Sequence, residues 1–72
     1  MFIRLSCNST TVNIDCAKAF ISPTTNTLAL VFENDALARK TEMILKQQDI
    51  KTKHNDSEIT ILNISDYEMV LG

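Results

Sequence analysis

Apolar and polar residues alternate strictly near the start of the chain, and this pattern limits the fold more than any other feature. The apolar positions are Ile3, Leu5 and Cys7 in one segment and Val12, Ile14 and Cys16 in the next. A period of two predicts two half-buried strands, and the polar residues 8–10 between them predict a hairpin turn. Both apolar sets must share one face. The pairing expected on this basis sets Cys7 opposite Val12, Leu5 opposite Ile14 and Ile3 opposite Cys16.

A continuous apolar run, Thr27 to Phe32, predicts a strand in the middle of a sheet that is covered on both faces. Before it, residues 18–21 either extend the second strand or form another, and residues 22–26 form a turn. After the helix described next, residues 50–53 and 58–64 predict a second hairpin around Asn55-Asp56.

One helix is predicted over residues 35–48, with Asn34 as its N-cap and Asp35 in its first turn. At 100° per residue its sheet-facing side comprises Leu37, Ala38, Thr41, Ile44 and Leu45. Its water-facing side comprises Arg39, Glu42 and Lys46.

The last residues fit two alternatives. Ser65 with Glu68 matches a capping box, and Ile64 with Met69 matches a hydrophobic staple, so a short helical turn is expected from Ser65. A final strand is the competing interpretation. The fold class predicted for the whole chain, residues 1–72, is one α+β domain: a small antiparallel sheet of four or five strands with the helix on one face.

Enzymatic and metal chemistry find little support in the sequence. The expected hairpin register separates Cys7 from Cys16 by about 13 Å, too far for a disulfide, so both are expected to be free thiols in the core. His54, Asp56 and Glu58 alternate as metal ligands would, but they flank a turn where charged residues are solvated. The only glycine is Gly72, which excludes a glycine-rich phosphate loop. We therefore expect no enzyme, no metal and no cofactor.

Charge and composition argue against nucleic acid and membranes. The net charge is −2, and Phe2, Phe20 and Phe32 read as core or near-core residues rather than stacking platforms. No apolar run approaches the length of a membrane span, and no secretory leader is recognisable, so a cytoplasmic protein is expected.

Recognition of a protein partner is the remaining expectation. The sequence predicts a small binding module that regulates or inhibits a larger protein, in the manner of phage or mobile-element accessory proteins, and homodimerisation through a strand edge is an added possibility. Alternatives are a nucleic-acid-binding regulator and a structural subunit of an assembly. The candidate partner-binding residues are Arg4, Ser6, Thr11, Asn13 and Asp15 on the N-terminal hairpin, together with the basic Lys51, Lys53 and His54.

Overall fold

A computed structural model describes residues 1–71 and contains seven strands and one α-helix. In chain order the elements are β1 (Phe2–Cys7), β2 (Thr10–Asp15), β3 (Lys18–Ser22), β4 (Thr27–Val31), α1 (Asp35–Gln47), β5 (Thr52–Asn55), β6 (Glu58–Leu62), a 3₁₀ turn (Ile64–Asp66) and β7 (Glu68–Leu71). The strands form two antiparallel sheets with the orders β2-β1-β7 and β3-β4-β6-β5. The predicted α+β class, with a small antiparallel sheet and a single helix, is confirmed.

The N-terminal hairpin forms, but its register differs from the predicted one by two residues. Ile3 lies opposite Ile14, Leu5 opposite Val12, and Cys7 opposite Thr10. The shift keeps both apolar sets on one face because side chains alternate with a period of two. It arises because Asn8 adopts a left-handed backbone (φ 56°), which allows a connection of only two residues.

The C-terminal residues contain both a short turn and a strand. Ser65 lies inside the 3₁₀ turn rather than capping it, so the predicted capping box is wrong. The Ser65 backbone N–H instead donates to Asn26 Oδ1 (3.0 Å), and Asn26 Nδ2 donates to Ser65 Oγ (3.0 Å). The turn between β3 and β4 thus holds the chain as it crosses to β7, which pairs with the free edge of β1.

Strand β4 lies in the middle of the four-stranded sheet, as predicted. Its side chains Leu28 and Leu30 are fully buried on the inner face beside Ile59 and Ile61 of β6. On the opposite face Ala29 and Val31 are only half-buried. The expectation that β4 is covered on both sides is therefore wrong: within residues 1–71, helix and second sheet contribute to the core on the inner side alone.

Helix α1 begins at the predicted cap, since the Leu37 N–H donates to Asn34 Oδ1 at 3.0 Å. It contacts β5 and β6 with part of the predicted side. Ala38 and Leu45 are fully buried, whereas the side chains of Leu37 and Ile44 are 43% and 41% exposed. The helix is rotated towards Glu42, which finds a partner in His54 on the inner face of β5.

The two sheets and the helix share one hydrophobic core. Its buried members are Ile3, Leu5, Val12, Ile14, Cys16, Leu28, Leu30, Phe32, Ala38, Leu45, Ile50, Ile59 and Ile61. Among the described residues, no helix combines the length and apolarity needed to cross a membrane.

Candidate partner-binding surface

The five hairpin residues predicted to bind a partner do share one surface, the outward face of the three-stranded sheet. Arg4 lies opposite Asn13, and its Nε donates to Asn13 Oδ1 at 3.3 Å. The hydroxyl oxygens of Ser6 and Thr11 lie 3.4 Å apart. Asp15 lies opposite Phe2 at the end of the same face. Many polar side chains of this face therefore already contact one another across the two strands.

The basic residues predicted to act together are divided between two faces of β5. Lys53 lies opposite Thr60 on the outer side, whereas His54 lies opposite Ile59 on the helix side. Both His54 nitrogens face protein groups. Nε2 lies 2.6 Å from the Asp56 carbonyl oxygen, to which it donates, and Nδ1 lies 3.5 Å from Glu42 Oε2.

The alternating residues His54, Asp56 and Glu58 do not converge on a metal site. His54 points to the inner face and Glu58, opposite Asn55, to the outer face. In the part of the chain described by the structure, no three histidine, cysteine or carboxylate side chains are grouped as metal ligands.

Both cysteines are free thiols, as predicted, but only Cys16 is fully buried. Burial raises the pKa of the Cys16 thiol, which keeps it protonated and unreactive near neutral pH. Cys7 is half-buried and lines a cleft of about 200 Å³ with Asp49 and Tyr67 among its walls. Burial also raises the pKa of Tyr67. The cleft is smaller than the roughly 300 Å³ at which small-molecule sites begin.

A second uncovered surface lies on the four-stranded sheet, and we call it the outer sheet face. It consists of the outward side chains of β3, β4, β6 and β5: Lys18, Phe20, Ser22, Thr27, Ala29, Val31, Lys53, Asn55, Glu58, Thr60 and Leu62. The cross-strand register aligns Phe20, Ala29, Thr60 and Lys53 in one row across all four strands. Lys51 borders the same surface, where it lines a shallow groove with Lys53 and Leu62.

Phe20 is the most informative residue of the outer sheet face, and it was not among the residues predicted to bind a partner. Its side chain is 58% exposed, although it was predicted to be in or near the core. The same prediction fails for Phe2, which is 59% exposed, and holds for Phe32. The signal available in the sequence was local alternation: Ala19 packs on the core, so Phe20 must point away from it.

The outer sheet face is positively charged on a chain that is negative overall. Together with the bordering Lys51, it carries three lysines, Lys18, Lys51 and Lys53, against a single carboxylate, Glu58. The ion pairs formed between described residues lie elsewhere: Met1 with Asp15, and Glu42 with Lys46. The three lysines are exposed.

Comparison with known proteins finds no family model, no curated protein and no solved structure that matches this chain.

Proposed function

We propose that this chain is a non-enzymatic protein-binding module that regulates or inhibits a larger protein by covering part of its surface with the outer sheet face. The observation that carries the proposal is the 58% exposure of Phe20 in a row that crosses the whole sheet. An exposed phenylalanine contributes little to folding, yet its burial against a partner would contribute about 1.5–3 kcal/mol. Aromatic side chains also dominate the energetics of many protein interfaces.

The neighbours of Phe20 extend this apolar surface. Ala29 and Val31 of β4 and Leu62 of β6 lie on the same face and are half-buried. Contiguous apolar surface on a small protein commonly marks an interaction site. A sheet face offers a broad open surface rather than an enclosed cavity, which suits a macromolecule better than a small ligand.

Three features support a role without catalysis. The Cys16 thiol is protonated inside the core. The two nitrogens of His54 face the Asp56 carbonyl and the Glu42 carboxylate, so neither points at a substrate cleft. The cleft beside Cys7 and Tyr67 is small.

The test is capture from a lysate of the native host with three immobilised versions of the chain. Wild type is compared with Phe20→Ser and with Phe2→Ser, a matched control whose exposure is almost the same on the other sheet. We expect a stoichiometric protein that wild type and Phe2→Ser retain and Phe20→Ser loses. Equal capture by all three versions, with the variants shown to be folded by circular dichroism, would refute the role of this face.

Nucleic acid is the second candidate, and the exposure of Phe20 on the same sheet face as Lys18 and Lys53 is what favours it. Bases stack on exposed aromatic rings, and lysines neutralise phosphates. Against it, Phe20 is the one aromatic residue among the outer-face residues, and the chain has a sequence pI of about 5.1. Salt-dependent binding of a labelled single-stranded DNA or RNA, abolished by Phe20→Ser, would move this candidate to first place.

A further inference from the structure

We infer that the partner presents to the outer sheet face an apolar stripe flanked on both sides by carboxylates, as an acidic amphipathic helix does. This inference rests on the proposed function and specifies the chemistry of the partner.

Charge is distributed unevenly over the surface of this chain. The whole chain carries seven basic and nine acidic residues, a net charge of −2. The outer sheet face with Lys51 carries three lysines and one glutamate, or 3 − 1 = +2. The remaining surface therefore carries 4 − 8 = −4. Since complementary potentials guide association and select partners, this face selects an acidic surface while the rest of the chain repels it.

The lysines of this face lie on its edge strands, and apolar residues lie on its central strands. The apolar residues Ala29, Val31 and Leu62 lie on the two central strands, and Phe20 lies beside them on β3. The lysines lie on the two edge strands, Lys18 on β3 and Lys53 on β5. Three strand spacings separate these edges, about 14 Å. A helix with its side chains is about 10–12 Å wide, so one laid along the strands brings flanking carboxylates near Lys18 at one edge and Lys53 at the other.

The same arrangement disfavours the other occupants. Two copies stacked face to face would bring lysine-bearing surfaces of net positive charge together, which costs free energy when the charges are desolvated. For binding a nucleic acid, the outer-face residues provide one aromatic ring on which a base could stack. They include no arginine, and they include a carboxylate, Glu58. An acidic peptide instead finds an apolar centre with a cationic edge on each side.

The probe is a displayed library of amphipathic helical peptides of about 14 residues, a length of about 21 Å. Apolar residues are fixed along one stripe, and the positions on both sides of it vary among Glu, Gln and Lys in equal proportions. The library is selected against the wild-type chain, and the bound peptides are tested against four variants. These are Phe20→Ser, Phe2→Ser, the double variant Lys18→Glu/Lys53→Glu, and the helix control Arg39→Glu/Lys40→Glu.

We expect the bound pool to be enriched in Glu over Lys at the flanking positions. Binding should be lost in Phe20→Ser and unchanged in Phe2→Ser. It should weaken about tenfold or more in Lys18→Glu/Lys53→Glu, and stay near wild type in the helix control. Thermal melting of each variant verifies that it is folded.

Other outcomes overturn the inference in distinguishable ways. Phe20-dependent peptides with Gln or Lys flanks would contradict the acidic partner and leave the proposed function standing. Competition of the peptides by a single-stranded oligothymidylate that binds more tightly would assign the face to nucleic acid. If no peptide depends on Phe20 but lysate capture still does, the inference alone fails, and failure of both measurements removes the proposed function as well.

Discussion

Asparagine and aspartate perform in this chain the conformational role that glycine usually performs in tight turns. The structure has five residues with positive φ among positions 1–71: Asn8, Asn26, Asp49, Asp56 and Asn63. A left-handed backbone is costly for most side chains, but the short polar side chains of Asn and Asp tolerate it. A sequence with no glycine before Gly72 can therefore still connect seven short strands.

Two of these asparagines should respond differently to glycine. Asn26→Gly removes both hydrogen bonds between the Asn26 amide and Ser65, and should lower the free energy of unfolding by about 1–2 kcal/mol. Asn63 makes no capping hydrogen bond with its side chain, so Asn63→Gly should change that free energy by less than about 0.5 kcal/mol. Urea denaturation of both variants measures the difference, and equal losses would contradict the role assigned to the Asn26 side chain.

Cys16 should make stability decline in alkaline solution. Burial raises the pKa of the folded thiol above that of the unfolded chain. Above the ordinary thiol pKa of about 8.5, the unfolded chain releases a proton that the folded chain retains, so the free energy of unfolding falls as pH rises. Chemical denaturation between pH 7 and about pH 10 should show a steeper decline for wild type than for Cys16→Ala. Parallel curves for the two chains would show that the Cys16 thiol does not cause the decline in the free energy of unfolding.

Among the elements, helix α1 packs on the sheet with a polar contact beside its buried apolar residues. Glu42 lies between Lys46 (3.9 Å) and His54 (3.5 Å), with its side chain 19% exposed. Leu37 and Ile44 are turned towards β2, where they border a groove beside Val12 and Ile14. The spacing of apolar residues predicts the helix. It does not show that the Glu42 carboxylate contacts His54, which lies on β5, ten or more residues later in the chain.

This rotation predicts unequal costs of truncation within the helix. Leu45→Ala should lower the free energy of unfolding by about 2–5 kcal/mol, because it leaves a cavity at a fully buried position. Leu37→Ala, at a position 43% exposed, should cost about 1 kcal/mol or less. Thermal or urea unfolding of the two variants compares them directly. A larger loss for Leu37→Ala would restore the orientation predicted from the sequence.

Strand β5 contains a buried hydroxyl group, and replacing it with a methyl group should stabilise the fold. Thr52 Oγ1 is buried on the inner face and has no hydrogen-bond partner within residues 1–71. Thr52→Val keeps the shape of the side chain and removes this unsatisfied group, so it should raise the free energy of unfolding by about 1 kcal/mol. Thr60→Val on the outer sheet face is the control and should change stability by less than about 0.5 kcal/mol. Destabilisation by Thr52→Val would mean that the hydroxyl is satisfied.

Local patterns predicted the elements better than their assembly. Alternation predicted the first hairpin, a continuous apolar run predicted the central strand β4, and capping predicted the start of α1 at Asn34. The two-sheet arrangement depends on β7 pairing with β1 across more than sixty residues, which no local pattern encodes. Of the candidate site, Lys51 and Lys53 were identified, whereas Phe20 was missed because a large apolar residue reads as core.

At the scale of the whole molecule, one core stabilises two sheets, and each sheet leaves its outward face uncovered by other elements of residues 1–71. Chains of this size bury only a modest share of their surface on folding, so some apolar side chains stay exposed and can contact a partner. If Phe20 serves binding, Phe20→Ser should leave the free energy of unfolding within about 0.5 kcal/mol of wild type. Thermal melting checks this, and a marked loss of stability would assign Phe20 a structural role instead.

The most direct test of the outer sheet face as the binding surface is an amide NMR spectrum of the ¹⁵N-labelled chain, recorded in buffer and then in a lysate of its native host. Association with a large partner broadens the signals of residues at the interface. We expect selective broadening along β3, β4 and β6 around Phe20, and its loss in Phe20→Ser. Broadening confined to the hairpin residues around Arg4 and Asn13, or a spectrum unchanged by the lysate, would contradict it.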